Sequence, residues 1–310
     1  MPEPENLQTF RPAMPRILLI KTSSLGDVVH NLPVVSDLVS ALPGVAIDWV
    51  VEESFAAIPR LHPGVSQVLP VAQRRWRRSP WQGQVWRELR QFLRGLRAQD
   101  YDLVIDTQGL LKSAWIARAA RGVRHGLDRV SSREPLGWFY DHVHQVPWGQ
   151  HAVERNRQLA ALALGRAVSG AAQYGIHAEG FLPSEIDGRP HAVLLHATSA
   201  AEKLWPETGW AELGTALAAR GLVCVLPWGT PAERERSVSL AARIPRAMVP
   251  ERLGIGALAP LLARARIVVG TDTGLAHLAG ALGAPTIGVY CATDPAATGL
   301  YACRQARNLG

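Results

Sequence analysis

From Arg16 onward the chain alternates short runs of apolar, largely β-branched residues with amphipathic stretches, and it does so twice. The runs "RILLIK", "AIDWVVEE", "SQVLPV" and "DLVIDTQ" read as buried strands, with helices expected over Val28 to Leu42, Phe55 to Leu61 and Gln84 to Ala98. Between Arg166 and Pro190 the composition turns to Gly, Ala, Ser and Pro without periodicity, the signature of a linker. The alternation then restarts with "HAVLLHA", "LVCVLPW", "RIVVGTD" and "PTIGVYC", separated by helices near Glu207 to Arg220, Ala232 to Arg243 and Ile255 to Ala265. Strand and helix in regular alternation require a parallel, doubly wound sheet. The expected α/β architecture is therefore two Rossmann-like domains facing each other across a cleft. Residues 1–14 form an extension, 15–170 the first domain, 171–190 the linker and 191–310 the second domain. A chain of 310 residues, 47% of them apolar, is long enough for two such cores.

Several classes drop out early. No stretch approaches the ~20 uninterrupted apolar residues of a membrane span. The N-terminal "MPEPENLQTFRPAM" is acidic and lacks an apolar core, unlike a secretory signal. Cys224, Cys291 and Cys303 are odd in number and scattered, which fits neither a disulfide framework nor a zinc site and points to a reducing cytoplasm. The pair Asp100 and Asp102 precedes its strand and so falls at the edge of the sheet away from ligands. His142, His144 and His151 have no carboxylate or cysteine company and read as an ordinary surface strand. No "GxGxxG" follows either first strand, against a dinucleotide oxidoreductase.

In open parallel sheets, ligands bind outside the carboxyl ends of the strands, and there the sequence concentrates its polar residues. "KTSSLGD" follows the first strand and "DTQGLLK" follows "DLVI"; "HATSAAEKLWP", "PWGTPAERER" and "GTDTGLAHLAG" occupy the same position in the second half. Asp272 or Thr273 either caps the helix that follows or, with Gly274 allowing close approach, opens its amides to a diphosphate. His277 lies one turn inside that helix. Thr198 and Ser199 offer hydroxyls, and Lys203 is either solvated or a point charge for a phosphate. Glu233 can accept two ribose hydroxyls, or simply match the dipole of its helix. Asp27 poses the sharpest question, because it places a carboxylate in a strand–glycine–helix turn of the kind that usually cradles an anion.

The net charge of +7 is concentrated rather than spread. Fifteen Lys or Arg face five Asp or Glu between Arg60 and Arg133. Within it "RRWRR", Arg74 to Arg78, reads as a loop, and Arg87, Arg90, Arg94 and Arg97 share one helix face opposite Leu89, Phe92, Leu93 and Leu96. Such a patch suits an anionic bilayer or acidic substrate, with Trp76, Trp81 and Trp86 available for stacking or a lipid interface. No helix-turn-helix, zinc-finger or RNP pattern accompanies it, so nucleic acid is not the expected partner.

Taken together and in order, "ILLIKTSSLGDVVHNLP", "DWVVEESFAAIP", "VIDTQGLLKSA", "HAVERNRQL", "LHATSAAEKLWPETGW", "LPWGTPAERER" and "DTGLAHLAGALGAPTIGVYCATDP" resemble the lipopolysaccharide heptosyltransferases of the ADP-heptose type, most of all the heptosyltransferase I branch. The resemblance runs from about Arg16 to Pro295. It implies a GT-B fold and metal-independent, cofactor-free, inverting transfer of heptose from ADP-heptose to a Kdo hydroxyl of Kdo-lipid A. The site of action would be the cytoplasmic face of the inner membrane of a Gram-negative bacterium. By matching motif it implies Asp27 as general base and Lys203 as the group stabilising the leaving ADP. Thr198, Ser199, Lys203, Glu233, Asp272, Thr273, Gly274 and His277 would hold the donor, and Arg74, Arg77, Arg78 and Arg133 the acceptor. An aspartate is a weak base toward an alcohol, so proton transfer would come late, as the new bond forms, and positioning would count for more than basicity. The family chain continues past the "TDP" motif to a closing helix, whereas sixteen residues follow Asp294 here. The competing expectations are a sibling heptosyltransferase acting on a heptosylated core, a non-catalytic nucleotide-sugar binding protein and a sugar-nucleotide epimerase.

Overall fold

The computed structural model describes residues 14–310 apart from 185, 187 and 199. All of the expected N-terminal extension except Met14 lies outside the described residues. The chain divides into two compact units. The first reaches to Ser23 and resumes over His30–Gly175; the second takes Ser24–Val29 and Ile176–Gly310.

In the first unit six strands form one parallel sheet: β1 (Arg16–Ile20), β2 (Ala46–Glu52), β3 (Val65–Val71), β4 (Asp100–Asp106), β5 (Arg121–Leu127) and β6 (His142–His144). Their order is β3–β2–β1–β4–β5–β6. Ile17, Leu18, Leu19 and Ile20 of β1 are all fully buried, as a central strand covered on both faces requires. The helices of this part of the chain are α1 (Leu25–His30), which groups with the second unit up to Val29, and α2 (Leu32–Ala41), α3 (Gln73–Trp76), α4 (Gly83–Leu96), α5 (Leu111–Ala119) and α6 (Ala152–Ala163). The direction of winding reverses between β1 and β4, so the loops after those two strands meet at a topological switch point.

The second unit has strands β7 (His191–Leu195), β8 (Val223–Val225), β9 (Ile267–Thr271), β10 (Thr286–Val289) and β11 (Ala306–Leu309), in the parallel order β11–β10–β9–β7–β8. Helices α7 (Glu207–Ala219), α8 (Pro231–Ala241), α9 (Ile255–Ala263), α10 (Gly274–Ala281) and α11 (Pro295–Thr298) connect them. Here the switch falls between β7 and β9, which pair from Ala192↔Ile267 to Leu195↔Gly270.

Several expectations need correction. The single helix expected from Val28 to Leu42 is two, broken at Asn31 because Pro33 stands in the first turn of α2 and lacks the amide that would continue α1. The helix expected from Phe55 to Leu61 is two 3-10 turns, Glu53–Phe55 and Pro59–Leu61. "RRWRR" is a loop only in its last two residues: Gln73–Trp76 is helical, Arg77 and Arg78 form the turn after it, and Arg75 ties the helix down by bonds to Glu53 and Glu88. Asp100 and Asp102 lie inside β4 rather than before it, though still at its amino end. The boundary is also more intricate than a cut at 170, since Ser24–Val29 belongs with the second unit. Within that unit, a Cβ built on Gly274 would stand 2.4 Å from Leu25 Cδ2 and 2.8 Å from the Gly26 nitrogen, so only glycine permits the approach. The linker region contains no helix or strand among its described residues. Its start is held by Arg157, buried on α6, which bonds Asp37, Glu154 and the carbonyls of Ser169 and Gly170.

Among the described residues no helix is long and apolar enough to cross a membrane.

Candidate active site

At the switch point of the second sheet, β7 and β9 deliver their loops side by side. Thr198 Oγ1 donates to the Asp272 carbonyl at 3.0 Å, joining the two loops directly. Lys203, at the end of a 3-10 turn over Ala201–Lys203, brings Nζ to 2.6 Å from Asp272 Oδ2. Thr293, just past β10, donates to the same oxygen at 2.8 Å, and His277 Nε2 stands 3.6 Å from Oδ1. Burial by itself would raise the Asp272 carboxyl, but His277, Lys203 and Thr293 outweigh it and hold the group well below the usual carboxylate range. Asp272 is thus a fixed anion at the mouth of α10, and Lys203 is not the solvated lysine that its sequence context also allowed.

Nor does Asp272 cap α10. Thr273 occupies the cap position with no side-chain cap bond, which leaves the first amides of the helix available beside Lys203. Glu233 does what a first-turn glutamate commonly does: its Oε2 accepts the amides of Gly229 at 2.7 Å and Thr230 at 3.2 Å, closing a capping box with Thr230. Ser199 lies outside the described residues.

Asp27 sits in the first turn of α1, half-buried. Its Oδ2 accepts both the Ser24 amide at 2.6 Å and the Ser24 hydroxyl at 3.0 Å. A carboxylate in this turn therefore satisfies the helix's own donors, and Oδ1 has no hydrogen-bond donor among the described residues. One residue before it, a Cβ on Gly26 would meet the His277 ring at 3.1 Å, so Asp27 is carried close to the Asp272 cluster within the second unit.

The first sheet's switch point is internally braced. Gln108, after β4, accepts the amides of Thr22 and Ser23 with one oxygen at 3.0 and 2.9 Å. Lys21 is buried and donates to the Thr107 carbonyl and to Asn156, while Lys112 donates to the Ser23 hydroxyl at 2.6 Å. Sequence reasoning passed over Gln108 and Thr293; a polar residue just past a buried strand was the available signal for both.

The four arginines expected to meet an acceptor form two groups. Arg74, Arg77 and Arg78 follow β3 and are exposed, Arg74 with its guanidinium 5.1 Å over the Phe55 ring. Arg133 follows β5, also exposed. Four inter-strand steps separate β3 from β5, or roughly 19 Å at ~4.8 Å each, so the two groups flank the β1–β4 switch point rather than making one cluster. Among the described residues no group of three or more His, Cys, Asp or Glu could hold a metal ion. His142 and His144 instead join His125, whose Nδ1 is 2.9 Å from His144 Nε2, in a packed imidazole group.

The family model of glycosyltransferase family 9 (heptosyltransferase) matches residues 89–309. The chain belongs to this family. This glycosyltransferase is 50% identical to lipopolysaccharide heptosyltransferase 1 of Pseudomonas aeruginosa over 289 residues, which cover 92% of this chain and 81% of that protein. It is 45% identical to the heptosyltransferase 1 of Escherichia coli K12 over 294 residues, 94% of this chain and 92% of that one. Among solved structures, E. coli heptosyltransferase WaaC with ADP superimposes with a TM-score of 0.89 at 44% identity, covering 95% of this chain and 92% of that one. The same enzyme with ADP-2-deoxy-2-fluoro heptose gives 0.85 at 43%, covering 94% and 92%. The glycosyltransferase thus has the two parallel-sheet units of the GT-B heptosyltransferases.

Proposed function

We propose that the enzyme transfers heptose from ADP-heptose, with inversion, to a Kdo hydroxyl of Kdo-lipid A in lipopolysaccharide core synthesis. The reading is carried by the Lys203–Asp272 pair at the β7–β9 switch point, beside the uncapped start of α10, in a chain 44% identical to an enzyme solved with ADP. Lys203 and the first α10 amides would take the diphosphate, Thr198 and Ser199 its remaining oxygens or the ribose, and Glu233 the ribose hydroxyls through the oxygen not used in capping. Asp272, fixed as an anion, would bind heptose hydroxyls together with His277.

Asp27 would act as general base. As the acceptor oxygen bonds to the heptose C1 on the face opposite the diphosphate, the C1–O bond to ADP breaks and the acceptor's proton passes to Asp27 Oδ1. Oδ2 stays bonded to Ser24, which fixes the carboxylate's orientation. The charge developing on ADP meets an ammonium and helix amides already in place, so no metal ion is required. Arg74, Arg77, Arg78 and Arg133 would receive the phosphates and carboxylates of the acceptor. Because that acceptor is a lipid, the enzyme would work on the anionic cytoplasmic face of the inner membrane of a Gram-negative cell.

A coupled assay of ADP release, with and without Kdo-lipid A, tests the reading. Release should depend on Kdo-lipid A. Donor consumed equally without acceptor would indicate an epimerase or hydrolase, and dependence on an already heptosylated acceptor would move the enzyme to a later step.

A further inference from the structure

We propose that one face of the first unit, built from the outer surfaces of α4 and α5 and the 3-10 turn at Gly137–Phe139, is the surface by which the enzyme docks on an anionic phospholipid bilayer. The inference rests on the membrane part of the proposed function and not on the transfer chemistry.

These three elements cover a single core cluster. Leu96 of α4, Ala114, Ile116 and Ala117 of α5, and Leu136 and Tyr140 around the 3-10 turn all pack together over β1 and β4. They are also tied to one another: Arg97 donates to the Ala119 carbonyl at 3.0 Å, the Leu111 amide donates to Glu134 at 2.5 Å, and Trp115 packs edge-to-face on Phe139 with ring centroids 5.2 Å apart. Their outer side is therefore one continuous surface.

That surface is the wrong way round for a face meant only for water. On α5 the outward stripe runs Leu111, Trp115, Arg118, at positions i, i+4 and i+7. Leu111 is 48% and Trp115 61% exposed, while the inward side holds small Ser113, Ala114 and Ala117. Trp138 on the neighbouring turn is 92% exposed, and on α4 the half-exposed Trp86 begins a stripe continued by Arg90 and Arg94. A single exposed apolar side chain needs no explanation, but a group of large ones on adjoining elements marks an interaction surface.

Charge selects the occupant. Among the described residues Arg90, Arg94 and Arg118 have no ion-pair partner, and the nearby acids are already engaged: Glu88 by Arg75 and Trp76, Glu134 by the Leu111 amide. Indole rings settle at the headgroup level, where one edge is apolar and the other wet, and arginines beside them meet anionic headgroups. Tryptophans on the same exposed stripes as arginines without ion-pair partners match that layered chemistry, whereas a self-complementary contact between two copies would set arginine against arginine.

The test uses the full chain in co-sedimentation with phosphatidylcholine vesicles, with and without phosphatidylglycerol, over a salt series and with neither donor nor acceptor present. The wild type should bind the phosphatidylglycerol vesicles, less so as salt rises. Trp138→Ala should weaken partitioning by roughly tenfold and Trp115→Ala/Trp138→Ala by roughly a hundredfold. Arg90→Ala/Arg94→Ala/Arg118→Ala should lower it by about fivefold per residue and flatten the salt dependence. ADP affinity and thermal midpoint measured on each variant exclude misfolding, and Trp138→Ser serves as the second probe, since that ring packs on almost nothing. A wild type that ignores both vesicles, or tryptophan variants that bind like it, overturns the proposal. So does self-association abolished by the same substitutions, which would assign the face to a second copy. None of these outcomes bears on heptosyl transfer, which the ADP-release assay reads separately.

Discussion

Asp27 is a partner for Ser24 and the proposed general base, and one pair of substitutions separates the two. Its Oδ2 holds the Ser24 amide and hydroxyl at 2.6 and 3.0 Å, a structural service that any well-placed side-chain oxygen could perform. Asp27→Asn keeps an acceptor oxygen in the turn, so its stability should lie within a few tenths of a kcal/mol of wild type. Asp27→Ala removes the acceptor. Because Ser24 is exposed and water replaces the lost partner, the cost should be at the low end for a helix cap, about 0.5–1 kcal/mol. Neither variant can accept a proton from the acceptor. Both should therefore lose ~100- to 10,000-fold in kcat, equivalent to about 3–5.5 kcal/mol of barrier, with ADP affinity unchanged. The catalytic effect exceeds the structural one several-fold, and in Asp27→Asn it stands alone. The assays are ADP release with acceptor present, ADP titration calorimetry and urea unfolding. Should Asp27→Asn retain activity within about fivefold of wild type while Asp27→Ala loses both activity and stability, Asp27 is a helix cap and nothing more.

Lys203→Ala removes the ammonium paired with Asp272 and should lower kcat/KM by ~100-fold or more while weakening ADP binding, measurable by calorimetry; unchanged ADP affinity would take Lys203 out of the donor site. Arg74→Ala/Arg77→Ala/Arg78→Ala should raise the KM for acceptor and soften its salt dependence without altering ADP affinity, and an unaltered KM would return these arginines to ordinary solvation. His125 and His196 are held neutral by burial, each pushed down to about 4, so the folded state binds fewer protons than the unfolded state between about pH 6.5 and 4. Stability should be complete above pH 6.5 and fall as the pH drops through that window; a urea midpoint flat between pH 7 and 5 would contradict this.

How much of this was legible in the chain varied with distance along it. The parallel strands were readable because a strand buried on both faces must be apolar throughout, as in "RILLI" and "HAVLL". β5 was not, because "RGVRHGL" carries arginines and glycine and is only partly buried near the sheet's edge. The helical turn at Gln73–Trp76 is short and held by Glu53 and Glu88, partners beyond any local window. Within the candidate site, the capping role of Glu233 was readable from "TPAE", whereas the engagement of Lys203 was not.

The sequence by itself determined that the chain makes two parallel α/β units and that its polar residues gather just after the strands, because periodicity and strand-end polarity are local properties. Only the tertiary structure decided that β7 lies beside β9, although α7, β8, α8 and α9 intervene. That adjacency brings Lys203 within 2.6 Å of a carboxylate 69 residues away. The tertiary structure likewise decided that Ser24–Val29 joins the second unit, since Gly26 and Gly274, far apart in sequence, meet where a side chain on Gly274 would collide, a matter of space that no run of neighbours encodes.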